Sequence, residues 1–378
     1  MYRLLVVLFV LAVISPVMTF ANEPAHGHDD HSKSSHELTE EEQRTINTEY
    51  VKHHTQDSHD FGIFTNASTG KHYGFALPVI LWDEGIHFFM SSKFEHGHQV
   101  VKSKGKFFKL DAHDGKVYKT DAGGDKLTET TFDEKKGEDV IHNLKPLDFS
   151  LTRNVFVTII MCIFIFFLFR RTAKSYHKGL SPSGPAKFLE PIVMFVRDEI
   201  AIPNIGEKNY KKYMNYLLTV FFFIWFLNLI GMTPLGGNVT GNIALTFALA
   251  MITFVITHAT AKKDYWLHIF WMPGIPVPMK ILLAPIEIIG VFVKPFALMI
   301  RLYANMLAGH IVLGSLIAVV YYFSNYGAKG AFLGLTFFMN IIELLVAALQ
   351  AYIFTMLTAL YFGSASAEHE HEHEAIEQ

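Results

Sequence analysis

The sequence predicts an all-α membrane protein with five transmembrane helices, the last two long and strongly tilted. An interfacial amphipathic helix and a small β-rich exported N-terminal domain complete the expected architecture. Three observations lead there. Hydrophobic residues make up 51% of the 378, with 34 Phe, and only 18% are charged, too few to cover a soluble protein of this size. Charge is segregated, with 15 Lys+Arg against 23 Asp+Glu in residues 22–150 and 16 against 7 in residues 151–362. Apolar runs approaching or exceeding the ~20 residues of a membrane crossing recur after residue 150. An acidic head therefore precedes a basic membrane body, and the tail from residue 363 adds five Glu without Lys or Arg.

The same composition sets limits on chemistry. A single cysteine, Cys162, excludes a disulfide scaffold or a Cys-based metal site within the chain. No G-x-x-x-x-G-K loop is present, so no nucleotide site is expected here. Neither a cofactor, a metal nor a nucleic-acid partner is predicted.

Residues 1–21 read as a signal peptide: Arg3, an apolar run from Leu4 to Ile14, and a small residue, Ala21, at a cleavage position. An uncleaved anchor helix is the alternative, and under either reading the head is exported. Residues 22–60 form a His-rich acidic segment with few apolar groups, expected to be disordered. Thirteen of the twenty His lie in residues 22–150, consistent with a divalent-metal site or with a solvated, pH-sensitive segment. Residues 61–150 carry short apolar or alternating runs at Tyr73–Trp82, Ile86–Met90, Lys106–Leu110 and Val117–Thr120. Turn residues Asp114-Gly115 and Gly123-Gly124 separate them, the pattern of a small β-rich domain placed in the periplasm.

The membrane domain is expected over residues 151–362. Val155–Phe169 is charge-free and ends at Arg170-Arg171, which the positive-inside rule assigns to the cytoplasm. Residues 184–200 mix apolar and charged positions, as an interfacial helix does. Tyr213–Ile230 and Asn242–His258 are the second and third spans, joined by the charge-free, Gly-rich stretch 231–241. Lys262-Lys263 mark a second cytoplasmic end, so the protein is multi-pass with a cytoplasmic C-terminus. Ile281–Phe323 is apolar for twice the length of an ordinary span, and residues 331–362 form a second over-long segment. The first is either one strongly tilted helix, bent at Pro285 and Pro295, or two pieces cut at Arg301–His310, which leaves Ile311–Phe323 short for a span; the second is expected to be its antiparallel partner. The acidic His-rich tail, 363–378, is expected to be cytoplasmic and solvated.

Inside these segments sit ionisable groups. An Arg in mid-helix costs about 2.5–3.5 kcal/mol on the most lenient insertion scale, so Arg301 needs a role or a partner. Glu287, Lys294 and Arg301 are spaced by sevens and share one stripe, joined by Asn305. His310, nine beyond Arg301, projects to the other side. Glu343 and Gln350 are seven apart on the last segment and face one direction. A fixed cation among titratable groups equips a proton or cation path. A buried structural pair remains the alternative for Glu343 and His310, a headgroup contact the alternative for Arg301.

The run from Lys294 through Arg301 and Asn305 to Gly309-His310 resembles the signature of subunit a of the F-type ATP synthase. The Glu343-to-Gln350 segment and the Asn228-Leu-Ile-Gly-Met-Thr-Pro234 exit from the second span fit the same resemblance, which covers residues 151–362. Bacterial relatives often place Glu after the Ala-Gly and His seven before the Gln. Here the order is reversed, as in mitochondrial relatives, which suggests that His310 and Glu343 meet across the hairpin. The resemblance implies an ion-translocating stator subunit in the cell inner membrane. Two offset half-channels would carry protons to and from carboxylates on a ring of c subunits, with Arg301 separating them. It assigns Glu343, His310, Gln350, Asn228 and Asn242 to the outer half-channel, Glu287 to the inner one, and Asn305 to the proton path. Partners implied are the c-ring, b-type peripheral stalk subunits, the remainder of the synthase and membrane lipid. Two other readings compete: a secondary proton or cation transporter, which normally shows an inverted repeat not found here, and a non-transporting anchor for the head.

Overall fold

The computed structural model describes residues 57–65, 72–97, 99–111, 114–133, 138–176, 184–233, 239–271, 276–322 and 325–366. The signal segment, most of the His-rich segment and the tail from residue 367 lie outside the described residues.

Among the described residues, the head is built from ten short strands in antiparallel sheets. β1 (Asp60–Thr65) pairs with β2 (His72–Ala76). β3 (Pro78–Trp82) lies between β4 (Ile86–Met90) and β10 (Leu147–Asp148). β5 (Val100–Ser103), β6 (Lys106–Leu110) and β7 (Val117–Thr120) form a three-stranded sheet, and β8 (Thr128–Asp133) pairs with β9 (Glu138–Asn143). The run Tyr73–Trp82 divides at Leu77, whose amide and carbonyl both bond Ser91 rather than continuing a ladder. Strands β8 and β9 (TETTFD, EDVIHN) have no alternating pattern that could have announced them.

Val79, Leu81, Phe89, Phe94 and Phe108 form the core of the head. Asp83 at its edge bonds Lys106 (2.8 Å) and Lys119 (2.6 Å). Burial pushes this carboxyl up, but the two lysines more than offset it and hold it below the usual carboxylate range.

Head and membrane body meet in a defined joint. Helix α1 (Arg153–Tyr176) begins with amides that have no acceptor within the helix itself. The Arg153 amide donates to the Ser58 carbonyl (2.9 Å) and the Asn154 amide to Asp57 Oδ1 (3.1 Å). Phe156, one turn on, meets the rings of Phe61 (5.5 Å) and Phe75 (5.3 Å) edge-on.

Beyond α1, the helix α2 (Pro185–Phe195) runs through a π-turn, Val196–Ala201, into α3 (Ile202–Ile205). α4 (Tyr210–Gly231), α5 (Ile243–Thr260) and the short α6 (Lys263–Phe270) come next. Helices α7 (Val277–Tyr322) and α8 (Tyr326–Ser366) follow. Among the described residues, α1, α4, α5, α7 and α8 are long and apolar enough to cross a membrane. The protein is a mostly helical, multi-pass membrane protein. Of the two options for the segment from Ile281, the structure adopts the continuous one: α7 passes through Pro285 and Pro295 for 46 residues, roughly 69 Å. Helix α6 has no counterpart in the sequence reading, since one amphipathic pair of turns is too short to show a period.

Packing in the body is the reverse of a soluble bundle. α5 buries Thr246, Ala250, Thr253 and Thr257 and exposes Phe247, Ile252 and Val255. α8 buries Thr336, Asn340, Glu343 and Gln350 and exposes Phe337, Phe338, Leu345 and Leu349. Lipid tails are as apolar as Leu, so small and polar residues gain most from facing other helices.

α8 is the central element, packed against α4, α7 and α3. Phe362 stacks on Tyr213 (4.5 Å). A Cβ at Gly363 would fall on the Asn204 carbonyl oxygen, a backbone atom that has no rotamer to yield. Gly363→Ala is therefore expected to push α8 off α3 and destabilise the body by about 1–3 kcal/mol. The check is a lowered unfolding temperature in detergent and a reduced subunit level in membranes.

Candidate functional site

The site is built on the α7–α8 hairpin. The two helices run antiparallel, with Gly309 against Glu343, Asn305 against Gln350 and Lys294 against Tyr361. Spacings of three and four on α8 put Glu343, Ala347, Gln350 and Phe354 on one buried stripe. α7 meets that stripe with Leu298, Leu302 and Met306, which are buried.

Arg301 lies near the middle of α7, and its side chain is exposed on the surface of the chain. Tyr361 on α8 lies within reach of its charge. Asn305, one turn on, is also exposed but donates through Nδ2 to Gln350 Oε1 at 2.8 Å. Gln350 is buried, with Nε2 lacking a hydrogen-bond partner. His310 turns inward, and its Nε2 is likewise buried and unpartnered.

Glu343 is 8% exposed, and neither carboxyl oxygen has a hydrogen-bond partner. A Cβ built on Gly309 would stand 2.7 Å from Glu343 Oε1. The absence of a side chain at Gly309 is what lets this carboxyl approach α7. His310 and Glu343 are thus neighbours across the hairpin, through Gly309, without a hydrogen bond between them. Asn228, on α4, reaches the same region: Nδ2 donates to the Ala347 carbonyl (3.4 Å) while Oδ1 is buried without a partner. Asn242 sits apart at the start of α5, where its side-chain oxygen caps the helix by accepting from the Ala244 amide (2.9 Å).

Glu287 belongs to a separate group towards the N-terminal end of α7. Tyr265, on α6, lies close enough that burial and then the Glu287 charge push its phenol above the ordinary value. Its hydroxyl shares a hydrogen bond with His258 Nε2 (3.3 Å). His258, Tyr265, Lys294 and Tyr361 line one pocket with Thr253 and Thr257. Sequence reasoning missed His258, Tyr265, Tyr361 and Gly309 as site residues. A His closing a span and a Tyr seven positions later was the available sign, but nothing local assigns them a partner on α7.

The structure therefore brings Glu343, His310, Gln350, Asn305 and Asn228 together on one side of Arg301 along the hairpin. Glu287 is on the other, and Asn242 is at a helix end. The family model described as ATP synthase A chain matches residues 155–363, more than half of the chain. The chain belongs to the ATP synthase A chain family. The ATP synthase subunit a of Chloroherpeton thalassium is 42% identical over 234 residues, covering 60% of this chain and 70% of that one. The ATP synthase subunit a 2 of Chlorobium luteolum is 41% identical over 236 residues, covering 61% and 69%. Residues 50–149 match a second family model, a domain of unknown function (DUF8433). The chain is an ion-translocating stator subunit of the F-type ATP synthase. Membership removes the secondary-transporter and simple-anchor readings.

Proposed function

We propose that the two polar groups flanking Arg301 are the two offset half-channels of this subunit a. Glu343, His310, Gln350 and Asn228 line the outer one, with Asn242 at its mouth, and Glu287 lines the inner one. Asn305 orients Gln350 beside the cation. The observation that carries this reading is the row of buried, unpartnered polar atoms on Glu343, His310, Gln350 and Asn228. In a packed core each would cost about 1–3 kcal/mol, whereas along a hydrated proton path water and a moving proton satisfy them.

The exposed Arg301 faces the c-ring and attracts an arriving carboxylate in its ionised form, since a nearby cation lowers a carboxylate pKa. It also prevents protons from passing directly between the half-channels. At 100 mV one charge crossing supplies ~2.3 kcal/mol, well below what phosphorylating ADP in cells requires. A ring of carboxylates passing one Arg sums several crossings per ATP.

α7 and α8 are too long to stand upright in a ~30 Å core, so they lie strongly tilted along the ring. Residues 1–21 are a signal peptide, the head is periplasmic, and the tail beyond 362 is cytoplasmic. α2, with Met194 and Phe195 exposed, lies in the interface beside the b-type stalk subunits.

Sidedness is the discriminating test. In a Cys162→Ser background, Asn228→Cys should react with a membrane-impermeant thiol reagent added to the periplasmic side, and Glu287→Cys from the cytoplasmic side. Labelling of both from the same side would exclude offset half-channels.

A further inference from the structure

Strands that pack one face on a core normally turn polar residues outward. The sheet of β10, β3 and β4 does not. Val79, Leu81 and Phe89 point into the head's core, while Trp82, Ile86, Phe88, Met90, Leu147 and Phe149 are 41–66% exposed. Register pairs Trp82 with Ile86 and with Leu147, and Pro78 with Met90, so these side chains share one continuous face. Phe149 extends it, its amide donating to the Ile80 carbonyl (2.9 Å). Six large apolar side chains at about half exposure amount to an apolar patch on the order of several hundred Å². Patches of that size on soluble surfaces mark contacts.

Depth identifies the occupant. Arg170-Arg171 stand at one membrane boundary. A hydrocarbon core of ~30 Å takes up about 20 helical residues, which leads back from Arg170 to about residue 150. Leu147 and Phe149 therefore sit at the opposite headgroup boundary. The head does not stand off on a linker, because Phe61 and Phe75 pack on Phe156 within the first turns of α1. Beyond this boundary α1 also exposes large apolar side chains, Val155 and Ile159. Lys104, whose Nζ bonds the Ile86 carbonyl (2.7 Å), adds a cation at the patch edge, suited to anionic headgroups.

We propose that the outer face of the β10–β3–β4 sheet lies on the lipid surface of the adjoining leaflet, its aromatic side chains at headgroup level, so that the head is a membrane-resting module. The sheet thereby holds the head at a fixed angle to α1.

The test is spin-label accessibility on the assembled synthase in phosphatidylcholine–phosphatidylglycerol vesicles. In a Cys162→Ser background, nitroxides are placed at Trp82→Cys and Phe88→Cys, with Asp125→Cys on an exposed turn as the aqueous control. Collision with oxygen relative to a water-soluble nickel chelate is expected to be several-fold higher at 82 and 88 than at 125. Ratios equal to the control would place the face in water. Protection from both reagents would place it against protein, and either result overturns the proposal. Should one variant fail to assemble, Ile86→Cys on the same face replaces it.

Discussion

Replacing Arg301 by alanine is expected to abolish ATP-driven proton pumping while leaving the subunit assembled. The side chain is exposed on the chain, with Tyr361 within reach of its charge, while Leu298, Leu302 and Met306 are buried on other positions of α7, so its removal leaves their packing in place. What is lost is the attraction that ionises and holds the ring carboxylate, together with the barrier between the half-channels. If that attraction is worth the roughly 2.5–3.5 kcal/mol that the cation's insertion requires, pumping falls by about two orders of magnitude. Dye quenching in inverted vesicles measures it, with subunit levels as the assembly control. Passive proton leak through the membrane sector should rise in the same vesicles. Normal pumping would remove Arg301 from the mechanism altogether.

The second large effect is expected at Glu343. Its carboxyl is the one acid in the buried polar group beside His310, and a general acid–base relay contributes roughly 10²–10⁴-fold. Glu343→Ala should reduce proton flux by at least about tenfold. Two conservative variants separate a relay from a packing role. Glu343→Gln keeps shape and hydrogen-bonding capacity but cannot carry a proton as an acid, so it should be as impaired as alanine. Glu343→Asp keeps the acid and should retain a measurable fraction of the flux. Full flux in the Gln variant would show that the carboxyl is structural. Repeating the assay with and without sodium reads the coupling ion independently of the relay.

The cation and its neighbours were legible because a membrane penalises charge so heavily. Any Arg, Glu or His in the middle of an apolar segment stands out against a uniform background, and heptad spacing alone places Glu287, Lys294 and Arg301 on one stripe. The reversal of acid and imidazole between His310 and Glu343 even indicated which residues would be neighbours. Their actual relation is subtler, since Gly309 separates them and no hydrogen bond joins them. A glycine's role as a gap is invisible until the partner that fills it is known. His258 and Tyr265 were missed for a similar reason: polar residues near helix ends are common, and only α7 and α6 folding together makes them a group with Glu287.

In the head, alternation marked β4, β6 and β7, where one face is buried, and failed for β8 and β9, whose sequences do not alternate apolar with polar residues. Alternation was also misleading in its absence: the outer face of β4 is as apolar as its core face, which marks a second environment rather than a second core.

By itself the sequence marked five apolar segments long enough to cross a membrane, the charge asymmetry around them, and the ionisable side chains set within them. These are local properties, set by the transfer free energy of each residue. Only the tertiary structure decided that α7 remains one helix across two prolines, that Gly309 and Gly363 are points of closest approach, and that the orphaned polar atoms of three different helices converge. Those outcomes depend on packing between segments distant in the chain, and no single segment encodes the shape of the surface it will meet.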